Sequence, residues 1–122
     1  MNPFFSHVRL PKIFWMICFT LAGCRHNPDI PVSPILTFNA DVSAITLNNC
    51  ATSGCHDGSS ERRRLVTYSE VMHYVSRGKP YSSRLFTSMI KLSGDKMPPN
   101  GPLSDAQIKT VYIWILQGAK EN

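Results

Sequence analysis

Two cysteines and a histidine stand together in Cys50-Ala51-Thr52-Ser53-Gly54-Cys55-His56. Two thiols with an imidazole directly after the second are the groups that attach a c-type haem: both sulfurs bond to the haem edge and the imidazole binds the iron. The usual spacing leaves two residues between the cysteines, whereas four lie between them here. On a regular helix of about 3.6 residues per turn, side chains three apart point about 60° from one another and side chains five apart about 140°. Four intervening residues therefore suit a single haem edge only when Ala51 to Gly54 bulge out as a loop. They are small, and Gly54 tolerates the positive φ that a loop needs just before Cys55.

Other chemistries compete for the same residues. Two exported cysteines this close can form a disulfide. They can also join His56 and His73 around zinc, although one cysteine pair is an incomplete structural zinc set. His56 can be a plain surface residue. Its position directly after Cys55, and a methionine loop downstream, favour haem.

A low-spin haem that carries electrons takes a second axial ligand, and thioether sulfur stabilises the ferrous form. Met97 is the first candidate. It lies in Lys96-Met97-Pro98-Pro99-Asn100-Gly101-Pro102, where Pro98 biases the methionine backbone towards an extended form and Pro99 stiffens the rest of the loop. His73 is the second candidate. Filling a gap in the core is the competing role for Met97 and the one expected of Met72 and Met89. Tyr81 and Arg84 are candidate donors to anionic haem propionates. Phe86, Tyr112 and Trp114 are expected to pack, and Arg62-Arg63-Arg64 to sit in a solvated loop.

Short helices must position these groups. Asp41 is an N-cap candidate for a helix carrying Val42, Ala44, Ile45 and Leu47 into Asn48-Asn49 and Cys50. The polar run 57–64 reads as a surface loop. Thr67 and Glu70 form a capping box ahead of Val71, Met72, Tyr74 and Val75, in a helix that stops at Gly78 and Pro80. A further helix, capped near Ser82 or Ser83, turns Leu85, Phe86, Met89 and Ile90 inward and ends by Ser93-Gly94. The clearest helix begins with the Ser104 and Gln107 capping box, carries Ile108, Val111, Tyr112, Ile115 and Leu116 at helical spacing, and stops at Gly118. Strand alternation and internal repeats are absent. The expected fold class is all-α, about four short helices joined by long loops that pack poorly without something large between them.

The chain has 122 residues, room for one domain with a thin core that a buried cofactor would reinforce. Its formal charge is +5, from 13 Lys+Arg against 8 Asp+Glu, and lacks the basic stripe with interleaved aromatics that nucleic-acid binding needs. At the N-terminus, Arg9 and Lys12 precede the apolar run from Ile13 to Ala22, which is too short to span a bilayer and reads as an export signal. It ends in Leu21-Ala22-Gly23-Cys24, which resembles the lipobox of bacterial lipoproteins. That resemblance implies cleavage before Cys24, lipid on Cys24, and a product tethered to the periplasmic or outer face of a bacterial membrane. An ordinary secretory cut near Ala22 or an uncleaved anchor is the alternative. The expected organisation is a signal peptide over 1–23, a Pro-containing linker over 24–40 and one domain over 41–122.

The whole pattern is similar to small cytochrome c domains found in lipoproteins of the Bacteroidetes and Planctomycetes type. Those domains follow an expanded C-x-x-x-x-C-H motif with P-x-x-S-x-L, then M-P-P, then a terminal helix ending in W-I-x-x-G-A. The matching residues are Cys50 to His56, Pro80 to Leu85 with Ser83, Met97-Pro98-Pro99, and Trp114 to Ala119. The resemblance implies a class I cytochrome c-like fold whose first and last helices cross. It implies one haem c bound covalently through Cys50 and Cys55, with His56 and Met97 on the iron, and a membrane-tethered electron carrier that serves redox partner proteins. The enzyme alternative is a peroxidase-like or gas-binding haem protein with an open distal position. The non-haem alternative is a small binding module held by a disulfide or zinc.

Overall fold

The computed structural model describes residues 29–122. The expected export signal and the candidate lipidation site Cys24 lie outside the described residues.

Thr37 opens the fold in extended conformation. Its hydroxyl accepts the Ala40 N–H at 3.2 Å, and the Asp41 carboxylate accepts the Thr37 N–H at 2.8 Å. Both donors would otherwise be orphans at a helix start. A π-helical turn, Phe38–Val42, follows and runs into α1, Ser43–Asn49. The helical segment thus begins before Asp41, which serves as an acceptor in the first turn and not as the N-cap. Phe38, only 3% exposed, is what the earlier start places in the core.

α2, Tyr68–Met72, opens with the Thr67 and Glu70 capping box, and α4, Asp105–Leu116, with that of Ser104 and Gln107. α3, Arg84–Ile90, follows a 3-10 turn at Pro80–Ser82. The described residues are all-α, with no strand and only an isolated parallel bridge between Thr37 and Lys120. α2 and α4 start where their capping boxes place them, but α2 stops at Met72. The N–H groups of His73, Tyr74 and Val75 bond three residues back, so Tyr74 and Val75, expected in the helix, lie past its end. α3 ends at Ile90, short of Ser93-Gly94. Ser83 stands at the N-cap of α3 without capping it. Its hydroxyl is fully buried, accepts the Ser76 N–H at 2.9 Å and lies 2.9 Å from the Lys79 carbonyl, so it ties the turn between α2 and α3.

The core joins Phe38, Val42 and Ile45 to Val71, to Leu85, Phe86 and Met89 of α3, and to Val111, Trp114 and Ile115 of α4. Burying one such side chain contributes about 1.5–3 kcal/mol, so this cluster outweighs any surface contact. Ile90, expected inside, is 39% exposed at the last residue of α3, past the part of the helix that faces the core.

The two ends of the described chain meet beside α4. Phe38 and Asn39 donate backbone N–H groups to the carbonyls of Lys120 (2.9 Å) and Glu121 (3.1 Å). The Gln117 side chain donates to the carbonyls of Pro31 (2.7 Å) and Pro34 (2.9 Å) and accepts the Leu36 N–H at 2.8 Å. Within the span expected as linker, the segment from Pro31 to Leu36 is thus held by Gln117. Past Gly118, whose φ of +100° ends α4, Arg77 donates to the carbonyls of Gly118 (2.6 Å) and Ala119 (2.7 Å) and to the Tyr68 hydroxyl (2.6 Å). Trp114 donates its indole N–H to the Lys120 carbonyl at 2.8 Å.

Candidate functional site

α1 delivers the chain to the cysteines. The N–H groups of Cys50 and Ala51 both donate to the Thr46 carbonyl at 2.9 Å, so the last turn widens and the chain leaves the helix. Residues 51–54 form a loop, as the expanded spacing demands. Cys55 donates its N–H to the Thr52 carbonyl at 2.9 Å, and the loop base is clasped by the His56 N–H on the Cys50 carbonyl at 3.1 Å. Gly54 has φ +76° and open space where a Cβ would stand, so glycine is needed there for its backbone conformation and not for room.

The polar stretch after His56 is more than a solvated loop. The Ser59 hydroxyl accepts the Gly54 N–H at 3.1 Å, Arg62 donates to the Gly54 carbonyl at 3.2 Å, and the Ser60 hydroxyl donates to the Cys55 carbonyl. Leu65 donates its N–H to the His56 carbonyl at 2.9 Å, and Arg64 pairs with Glu70 of α2 at 3.4 Å. Asp57 accepts both the N–H (3.0 Å) and the hydroxyl (2.6 Å) of Ser59, and these bonds hold its carboxyl below the ordinary range. An Asp two residues before a Ser is the sequence signal for such a turn. The groups it folds back onto have no local signature.

His56 is half-buried, with Nδ1 2.7 Å from the Arg63 carbonyl. A carbonyl only accepts, so Nδ1 carries the proton and the lone pair of the neutral ring sits on Nε2. A histidine that ligates a metal is oriented by this kind of bond. Cys50 and Cys55 are free thiols, Cys50 buried and Cys55 half-buried. Burial, then the neighbouring Cys55, push the Cys50 thiol up to about 11. Near neutral pH its sulfur is therefore protonated. Among the described residues, no three His, Cys, Asp or Glu side chains converge to hold a metal ion.

Cys50, Cys55 and His56 line a cavity of about 460 Å³ whose wall also includes the segment from Met97 to Pro102. Cofactor sites run to about 300–1,000 Å³. The Met97 N–H donates to the Ser88 carbonyl at 2.9 Å, which fixes the methionine loop to α3. Leu65, Leu85 and Met89 supply apolar wall, and Arg62, Arg84 and Lys91 supply cations against the single carboxylate of Asp95. The thiols, an imidazole whose lone pair sits on Nε2, a thioether and cationic donors thus fit a haem.

Other candidates fall elsewhere. His73, at the C-cap of α2, is exposed and does not line the cavity. Tyr81, 71% exposed, packs its ring 5.5 Å from Phe86 and 6.0 Å from Tyr112, away from the cavity lining, while Arg84 does line it. Met89, expected as core filler, belongs to both core and cavity wall. Tyr74, Asn48 and Asn49 line the cavity without a signal in their sequence context.

Comparison of the chain with known family models, curated proteins and solved structures finds no match.

Proposed function

We propose that the protein is a single-haem c-type cytochrome of class I cytochrome c-like fold. In this proposal it is an electron carrier and not an enzyme, tethered to a bacterial membrane through lipidated Cys24, on the periplasmic or outer face. The observation that carries the proposal is that one cavity gathers Cys50, Cys55 and His56 with Met97, although these residues come from two loops distant in the chain. The tether is supported by the lipobox-like Leu21 to Cys24. No helix among the described residues is long and apolar enough to cross a membrane.

When bound, haem c supplies one-electron exchange between ferric and ferrous iron. Cys50 and Cys55 hold it through thioether bonds. His56 offers Nε2, with the ring orientation set by the Arg63 carbonyl. Met97 offers its sulfur from a backbone anchored on Ser88, so little conformational entropy opposes its approach. Leu65, Leu85 and Met89 keep water from the site, and Arg62, Arg84 and Lys91 offer cationic donors to its carboxylates. Ligands held in place through a change of iron charge suit exchange with redox partner proteins.

Spectroscopy of the full chain matured in a haem-attaching host tests this. The expected result is low-spin iron that is reversibly reduced, with a methionine-to-ferric-iron charge-transfer band lost in Met97→Ala and kept in His73→Ala. High-spin iron in the native protein would contradict the carrier and favour a peroxidase-like or gas-binding protein.

A further inference from the structure

The residues that separate Cys50 from Cys55 have no helix to fix them. Gly54 takes φ +76°, yet apart from its own chain neighbours no heavy atom lies within 4 Å of where its Cβ would stand. Packing therefore does not hold this turn. The polar groups that contact Gly54 come from one short stretch: the Ser59 hydroxyl and, beside it, the Asp57 carboxylate on its N–H, and the Arg62 guanidinium on its carbonyl.

The Ser59 contact is directional. A hydroxyl has one hydrogen, and that of Ser59 lies on the Asp57 carboxylate at 2.6 Å. Its lone pairs are thereby left for Gly54, and the Ser59 backbone is held by the same carboxylate at 3.0 Å. Arg62 lines the cavity while its Nη1 bonds the Gly54 carbonyl, so the outside of the loop is tied to the cavity wall. The Ser60 hydroxyl holds the next carbonyl, that of Cys55. Both peptide units flanking Cys55 are thus oriented by residues 59–62.

We propose that Ser59 and Arg62 are positioning residues for the expanded cysteine motif, clamping Gly54 by both of its backbone polar groups so that Cys55 presents its sulfur to the cavity beside Cys50. This deepens the cytochrome proposal and rests on it. The clamp replaces the helical geometry that a shorter spacing would supply.

The test compares the full chain with Ser59→Ala, Arg62→Ala, the double variant and Ser59→Thr, which keeps the hydroxyl. After maturation in a haem-attaching host, free thiols are alkylated and the proteins weighed. Expected is a several-fold larger fraction of chains attached at Cys50 but free at Cys55 in both alanine variants, larger still in the double, and the parent value in Ser59→Thr. General destabilisation would lower the yield without changing the ratio between the two cysteines. A parental ratio in the double variant overturns the proposal. Amide exchange in the same chains made without haem gives a second readout. Gly54 should exchange about fivefold faster in Ser59→Ala, the change expected on losing one ordinary hydrogen bond. Unchanged Gly54 exchange overturns the clamp, whereas a parent chain that takes no haem overturns the cytochrome proposal and leaves the exchange result standing.

Discussion

The end of the molecule where Phe38 meets Lys120 and the face that carries the cysteines are held by different means. At the first, Trp114 is fully buried, its ring lies 6.0 Å from that of Phe38, and its N–H is bonded to Lys120. Helix ends and chain ends there are closed by side chains that reach far along the sequence. At the second, loops surround a cavity, and the polar contacts that shape them come from exposed residues close by in sequence. Buried contacts are worth several times exposed ones, so the packed end supplies most of the stability of the chain without cofactor. On the cytochrome proposal, the cysteine face would be completed by the haem between its loops.

Substitutions at the packed end put this contrast under the greatest strain. Trp114→Ala should cost about 3–5 kcal/mol in urea unfolding and loosen both regions together. A loss below about 1 kcal/mol would mean that the packed end is not the stabilising one. Arg77→Ala removes charged donors from the Gly118 and Ala119 carbonyls, and because Arg77 is exposed its cost should lie near about 1.5 kcal/mol, the low end for hydrogen bonds to charged groups. The reduction potential of the proposed haem should not move with it, since Arg77 does not line the cavity. A shifted potential would show the two regions to be coupled.

The smallest effect falls where α2 joins the two regions. The carboxylate of Glu70 is held below its ordinary value of 4.5 by the Thr67 N–H first, then by Val66 and Arg64. A depressed carboxylate contributes stability above its unfolded pKa and loses it as pH falls through the folded value. Below pH 4.5 the unfolding midpoint of the parent should therefore fall more steeply than that of Glu70→Gln, which keeps an acceptor but does not titrate. Parallel curves would mean that Glu70 does not couple stability to pH.

The helices were legible because their caps are local. Thr67 with Glu70 and Ser104 with Gln107 name their own starts. Thr37 escaped because its acidic partner lies one residue further along than in a capping box, the residue that the π-helical turn adds. Ser83 reads as a cap because its role, tying Ser76 and Lys79, exists only once the turn has folded. At the site, Cys50, Cys55, His56 and Met97 announce themselves by type and neighbours, and the fold brings all of them to one cavity. His73 and Tyr81 have the right chemistry but lie on the outside of short elements, where one position of rotation decides exposure. The clasp from 57–65 was hidden because its partners are backbone groups, which every residue carries.

Whether this chain carries haem at all is read from the mass of the purified full-length protein, matured in a host able to attach haem. The expected mass includes one covalent haem, lost when Cys50→Ala and Cys55→Ala are combined while the helical content of the packed end persists. A colourless chain of unmodified, haem-free mass would contradict the cytochrome proposal.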